Sequence, residues 1–395
     1  MNDGATAEPV NARFENPPRL LIITASSELY GSDRSLINAL PQLSTAFEVT
    51  IAFPSTGPAA DAARELGAAV IITDDFALRR RNLQNPATLL AWFKRIRNAQ
   101  RQLNRAHDAH PFAMIYSNTF AAGIGPLLKR SWKVPHVLHV RKCPMEPKWQ
   151  ITTLCRIADK SSEILICNSH YTKTLLTKVR PSLAIKTQIV HNGIEMPSES
   201  DIVAPSLVGP LKISCVGRIH PKKGQSILLE AAALARQENR AWELHFFGDA
   251  LEEHQPLLSA LKTQAAQADL ADRVTWHGFV DGNARYAGHD VAVVPSIYPE
   301  EFSLVCAEAQ VMGLPVIATG PGGPSEIITE GESGFIVAPG DSAALHRALV
   351  QFDDDRQLAV RFGAAGNQRV RSTFSREAYG RKITESLQSL LTSKN

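Results

Sequence analysis

The segment Gly217-Arg218-Ile219-His220-Pro221-Lys222-Lys223-Gly224 sets two cations five residues apart behind a glycine. Gly217 lets the backbone turn tightly where a ligand approaches. Arg218 offers a planar fork that matches phosphate oxygens, and Lys223 a second, movable charge. Two fixed cations of this kind can neutralise a diphosphate; the plainer reading is a loop of solvated charge. A second segment runs Tyr298-Pro299-Glu300-Glu301-Phe302-Ser303-Leu304-Val305-Cys306-Ala307-Glu308. Ser303 is placed to cap a helix, and Gly313 followed by Pro315 stops it. The amides of Leu304 and Val305 then form a first turn able to hold a phosphate. Glu308 lies one turn on, roughly 6 Å along the axis, about the step from a phosphate to a ribose diol. Glu300 precedes the helix, where a group attached to the far phosphate would sit.

Other candidates carry less on their own. Gly320-Pro321-Gly322-Gly323-Pro324-Ser325-Glu326 allows close backbone approach or a simple turn. Tyr30-Gly31-Ser32 follows the first strand and puts amides at a helix start. His139 and Arg141 fall at the end of a strand, the ligand side of a parallel sheet. Asp353-Asp354-Asp355 lies outside the motif region and reads as solvated charge. The five cysteines form no C-x-x-C pair, show no zinc-ligand spacing and sit mostly in apolar stretches, so they read as buried free thiols.

These residues need positioning elements, and the chain alternates strand and helix. Strands are expected at 19–24, 49–53, 69–72, 113–116, 134–140 and 162–167, with helices from Gly31, over 59–66, after Pro86, up to Lys129 and over 171–178. Residues 197–210, rich in Ser, Pro and acidic side chains, read as a linker. The pattern then restarts with strands at 212–216, 242–247, 274–277, 291–295, 315–318 and 334–337. Helices are expected at 225–237, 257–267, 304–312, 342–351 and 375–391. Such alternation gives β-α units and parallel sheets. The expected architecture is α/β: two Rossmann-like doubly wound domains facing a central cleft. The organisation reads as a disordered leader 1–17, an N-terminal domain 18–196, the linker 197–210, a C-terminal domain 211–374 and a closing helix 375–395.

A length of 395 residues fits two domains. With 42 Lys/Arg against 39 Asp/Glu, a net charge of +3 argues against a surface built for nucleic acid. The charge is uneven: residues 1–195 hold 24 basic and 15 acidic side chains (+9), and the remaining 200 hold 18 and 24 (−6). Much of the excess falls at 79–105, where Arg79, Arg80, Arg81, Lys94, Arg95, Arg97, Arg101 and Arg105 interleave with Leu89, Trp92, Phe93 and Ile96. That stretch is open to two readings: a surface helix packing its apolar stripe inward, or a peripheral contact with an anionic membrane. No apolar run approaches the ~20 residues of a membrane span, and the N-terminus lacks a signal-peptide pattern. A cytoplasmic location, extending to the inner face of the membrane, is expected.

Taken together, Gly-Arg-x4-Lys-Gly, Glu-x7-Glu, Gly313-Leu-Pro-Val-Ile-Ala318 and Gly322-Gly-Pro-Ser-Glu326 resemble glycosyltransferase family four. His191-Asn192-Gly193-Ile194 is similar to the family's Pro-Asn-Gly-Ile/Val signature. The resemblance runs from about residue 18 and is most specific in the C-terminal half. It implies a GT-B fold, a nucleotide-sugar donor in the C-terminal domain, a saccharide acceptor in the N-terminal one, and transfer of a hexose with retention and no metal or cofactor. Arg218 and Lys223 would hold the diphosphate and Glu308 the ribose. Glu300, with the backbone around Phe302 and Ser303, would contact the sugar. His139 would lie by the reacting carbon and Gly31 in the donor site. Ser303 and Ser32 stand where the family usually has glycine.

The implied mechanism is front-face attack, with the leaving phosphate taking the acceptor's proton and domain closure excluding water. Polysaccharide or lipopolysaccharide assembly is the expected setting, with soluble and lipid-linked acceptors both open. The rival readings are a sugar-nucleotide 2-epimerase of the same architecture, a non-catalytic binding module, and a dinucleotide oxidoreductase. The last rests only on Gly123-Ile124-Gly125, which lacks a third glycine.

Overall fold

Runs of Val, Ile, Leu and Phe buried on both faces build parallel strands, and the intervening amphipathic segments cover them as helices. The computed structural model describes residues 16–29, 31–77 and 85–392. Most of the 1–17 leader, Tyr30, and the Arg79–Arg81 and Leu83 portion of the basic stretch lie outside the described residues. The chain divides into two compact units. One comprises residues 1–140, 153–165 and 380–395, and the other 141–152 and 166–379.

The first sheet has the order β3-β2-β1-β4-β5-β6-β7. Its strands are β1 (Arg19–Ile23), β2 (Glu48–Phe53), β3 (Ala69–Ile72), β4 (Met114–Ser117), β5 (His136–Val140), β6 (Ile164–Cys167) and β7 (Thr187–Ile189). The pairings from β3 to β5 are parallel, with Leu20 level with Val49 on one side and Met114 on the other. The helices are α1 (Gly31–Leu43), α2 (Pro58–Glu65), α3 (Pro86–Ala109), α4 (Gly125–Trp132), α5 (Lys148–Ser161) and α6 (His170–Val179). The Asn85 side chain caps α3 by accepting from the Thr88 amide at 2.9 Å, and Pro86 fills the first helical position.

The second sheet is parallel throughout, in the order β10-β9-β8-β11-β12-β13. Its strands are β8 (Leu211–Val216), β9 (Trp242–Phe247), β10 (Val274–Gly278), β11 (Val291–Val294), β12 (Val316–Thr319) and β13 (Gly334–Val337). Its helices are α7 (Gln225–Gln237), α8 (Gln255–Gln267), α9 (Leu304–Val311), α10 (Pro324–Ile327), α11 (Ser342–Asp354) and α12 (Arg356–Thr373). The last helix, α13 (Arg376–Thr392), belongs to the first unit from residue 380 onward. The strand order reverses between β8 and β11, which opens a crevice beyond their carboxyl ends. Leu228, Leu244, Val293, Ile317, Leu349 and Phe352 pack one face of this sheet.

Three expectations are corrected. Helices α5, α10 and α12 and strand β7 were not expected from the pattern. In the Asp353–Asp355 run, Asp354 and Asp355 are exposed as solvated charge, but Asp353 is structural. Asp353 accepts from Arg240 at 3.0 Å and from the Trp242 indole at 2.9 Å, and Asp355 caps α12 through the Leu358 amide at 3.0 Å. In the basic helix, Ile96, Ala99 and Leu103 face inward, while Phe93, expected on the same stripe, is half-exposed. All five cysteines are free and buried, and burial pushes the Cys215 and Cys306 thiols up to about 12.

Candidate functional site

The β8/β11 reversal brings together the two segments that carry the charged motifs. The β8 strand ends at Val216, and the loop to Gly224 carries Arg218 and Lys223. The β11 strand ends at Val294, and its loop carries Ser296, Glu300, Phe302 and Ser303. The loops touch at Gly224, whose φ of +68° is left-handed and where a side chain would strike the Pro295 carbonyl. The Ile297 amide donates to the Lys222 carbonyl at 3.0 Å, which fixes the pair of loops.

That contact places the Lys223 ammonium 2.6 Å from Oε1 of Glu300, and the Ser296 hydroxyl donates to the same oxygen at 2.7 Å. Burial alone would raise the Glu300 carboxyl. The Lys223 charge and the Ser296 and Ser303 hydroxyls outweigh it and hold the group below its ordinary value. The Gly323 amide donates to the Glu300 carbonyl at 2.7 Å, so the glycine-rich loop braces the backbone of the same segment. Arg218, in the same loop as Lys223, is exposed.

Ser303 caps α9 as expected, its hydroxyl accepting from the Cys306 amide at 3.4 Å. The helical ladder starts with the Ala307 amide on the Ser303 carbonyl, so the half-buried Leu304 and Val305 amides precede it at the positive end of the helix. Glu308 stands one turn along, only 14% exposed, accepting from Arg285 at 3.2 Å and from the Tyr286 hydroxyl at 2.9 Å. Burial and the facing Glu308 carboxylate push the Tyr286 phenol well above its ordinary range. Arg285 and Tyr286 were missed by sequence reasoning: they lie in an aperiodic loop with no motif around them.

The second unit therefore carries Arg218, Lys223, Glu300, Phe302, Ser303, Leu304, Val305 and Glu308 on the segments that follow the carboxyl ends of β8 and β11. Gly31 and His139 belong to the first unit. Gly31 is exposed at the start of α1. His139 is fully buried at the end of β5, its Nδ1 hydrogen-bonded to the Tyr116 hydroxyl.

Among the described residues, His170, His191 and Glu326 form the cluster that offers three metal-type ligand atoms within 4.8 Å of one another. The Glu326 oxygens are already engaged: they accept from the His170 and Tyr171 amides, both at 2.8 Å, and from His191 Nε2 at 2.9 Å. Burial raises this carboxyl, but those donors prevail and hold it low. The group is a hydrogen-bonded cap on α6, a role for Glu326 that the glycine-rich motif did not reveal.

Residues 201–369 match the family model described as glycosyl transferases group 1. That match takes in less than half of the chain, all of it in the second unit. A lipopolysaccharide core biosynthesis mannosyltransferase, LpcC of Rhizobium leguminosarum bv. viciae, is 29% identical over 217 residues, 53% of this chain and 61% of that protein. A second, LpsB of Rhizobium meliloti (strain 1021), is 32% identical over 182 residues, 45% of this chain and 52% of that protein. The chain thus spans little more than half the length of these curated relatives. The solved structure of Anabaena HepE in complex with UDP-glucose superposes with a TM-score of 0.77 at 23% identity, covering 94% of this chain and all of that one. This likeness establishes the GT-B fold, two Rossmann-like domains. Among the described residues no helix is long and apolar enough to cross a membrane.

Proposed function

We propose that this chain is a glycosyltransferase that moves a hexose from a nucleoside-diphosphate sugar to a saccharide acceptor in polysaccharide or lipopolysaccharide assembly. The observation that carries the reading is the second sheet's reversal point, where two cations and a helix N-terminus gather beside two carboxylates set one helical turn or more apart. The family match over residues 201–369 supports the reaction class, and the lipopolysaccharide mannosyltransferase relatives support a hexose and a saccharide acceptor.

The leaving diphosphate gains negative charge as its bond to the anomeric carbon breaks. Arg218, Lys223 and the Leu304 and Val305 amides are preorganised to take that charge, which lowers the barrier without solvent reorganisation. Glu308, already oriented by Arg285 and Tyr286, accepts from the two ribose hydroxyls. Glu300 is held ionised by Lys223 and so can accept from sugar hydroxyls. The new bond forms from the acceptor oxygen to the same carbon on the same face. The acceptor's proton passes to the departing phosphate oxygen, so configuration is retained and no resident metal is required. The catalytic role of His139 and the donor-binding role of Gly31 rest on the family resemblance.

The test is a thermal-shift panel of UDP-, GDP- and ADP-sugars, followed by product analysis with and without a saccharide acceptor. A ligand at 100 times its dissociation constant raises stability by about 2.7 kcal/mol. Stabilisation by one nucleotide class, with acceptor-dependent product of retained configuration, is the expected result. No shift with any of the three, or turnover of the sugar nucleotide to an epimer without acceptor, refutes the reading.

A further inference from the structure

Helix α3 is two-faced in an unusual way. Its inner face packs on the first sheet through Ile96, Ala99 and Leu103, and the Trp92 indole donates to the Phe76 carbonyl at 3.2 Å. On its outer face, at 100° per residue, Leu90, Phe93, Lys94, Arg97, Arg101 and Arg105 fall within an arc of about 120°. Leu90 is 72% exposed and Phe93 50%, and the four cations of the arc are exposed as well. From Asn85 to His107 the sequence holds no Asp or Glu, so nothing on the helix neutralises this face until Asp108.

We propose that the outer face of α3 docks on an anionic lipid bilayer, lying in the interface plane with Leu90 and Phe93 inserted and the cations against the headgroups. The charge complementarity and the apolar pair favour this occupant together. A nucleic acid or acidic polysaccharide would engage the cations but leave Leu90 and Phe93 in water. A bilayer accommodates both, and an interfacial helix needs this combination of a basic face and a few large apolar side chains. Length is sufficient: 24 residues extend roughly 36 Å, so the whole arc can lie along a flat surface. The proposal goes beyond the transferase reading and does not depend on it, because vesicle binding and donor binding can each fail while the other holds.

The experiment is co-sedimentation of the full chain with vesicles of phosphatidylcholine alone or with phosphatidylglycerol. Binding to the anionic vesicles only, falling as salt shortens the screening length, is expected. Each surface cation near an anionic leaflet contributes about fivefold in partitioning, so Lys94→Gln/Arg97→Gln/Arg101→Gln lowers binding roughly 100-fold. Leu90→Ser/Phe93→Ser lowers binding to anionic vesicles while leaving retention on a soluble polyanion such as heparin unchanged. Because these side chains are exposed, both variants keep the wild-type melting temperature and nucleotide response, which separates lost docking from lost folding. Equal sedimentation with neutral and anionic vesicles, or variants that bind like wild type, overturns the proposal. So does retention on heparin without any vesicle binding, which would make the face a polyanion site instead.

Discussion

Replacing Lys223 by Met tests the coupling at the centre of the donor site. The ammonium lies 2.6 Å from a Glu300 carboxylate that is 16% exposed, while Lys223 itself is 34% exposed. Removing one partner of a fully buried pair costs about 3–5 kcal/mol, because the remaining charge is left uncompensated. One-third exposure of the lysine lets water offset part of that, so about 1.5–3 kcal/mol is expected. Glu300→Gln should cost about 1 kcal/mol or less, since the amide still accepts from Ser296 and Lys223 can turn to solvent. In the double variant nothing charged is left buried, and its cost should approach that of Glu300→Gln alone, a coupling of about 1.5–3 kcal/mol.

The sign with pH follows from the carboxyl. In the wild type Glu300 is held low, so its stabilisation is present above the ordinary Glu range and is lost as pH falls through the folded-state value. Without Lys223, burial pushes the group up, and protonation relieves the cost as pH falls. The gap between wild type and Lys223→Met should therefore narrow from pH 7 toward about pH 4. Denaturant titration of the four proteins at both pH values measures it. Additive single-variant costs, or a gap that widens in acid, would refute the reasoning.

Three further outcomes follow from the same geometry. Glu308→Gln keeps an acceptor for Tyr286 and so leaves the melting temperature near wild type, but nucleotide affinity by calorimetry should fall about 10-fold or more as the charge-assisted bonds to the ribose are lost. Glu326→Gln should flatten the acid limb of the stability curve, because the depressed Glu326 carboxyl supplies stability above the ordinary Glu range that is lost as pH falls; circular-dichroism melts at stepped pH check this. Gly224→Ala should destabilise by more than about 2 kcal/mol, through a left-handed φ and collision with the Pro295 carbonyl, and denaturant midpoints measure that cost.

The strands were legible because both faces of a parallel sheet are buried, so each strand appears as an unbroken apolar run. Trp242–Phe247 and Gly334–Val337 have their expected boundaries for that reason. The charged loops were legible because they follow such runs directly. Helix α12 was hidden by Gly363 and Gly366, residues of low helix propensity. Gly363 is needed there because a side chain would strike the Gly313 carbonyl, a tertiary requirement that no local pattern encodes. Arg285 and Tyr286 were invisible for a related reason: their partner, Glu308, lies 23 and 22 residues away and meets them only through the fold. Asp353 was misread because its partners, Arg240 and Trp242, are more than 100 residues distant.

A structure of the chain with a nucleoside-diphosphate sugar bound is the most direct measurement of the central claim. The account predicts the diphosphate within hydrogen-bond reach of Arg218, Lys223 and the Leu304 and Val305 amides, with both ribose hydroxyls on Glu308 and the hexose beside Glu300. A nucleotide seated away from the β8/β11 reversal point, or a Glu308 still turned to Arg285 with the ribose elsewhere, would contradict it.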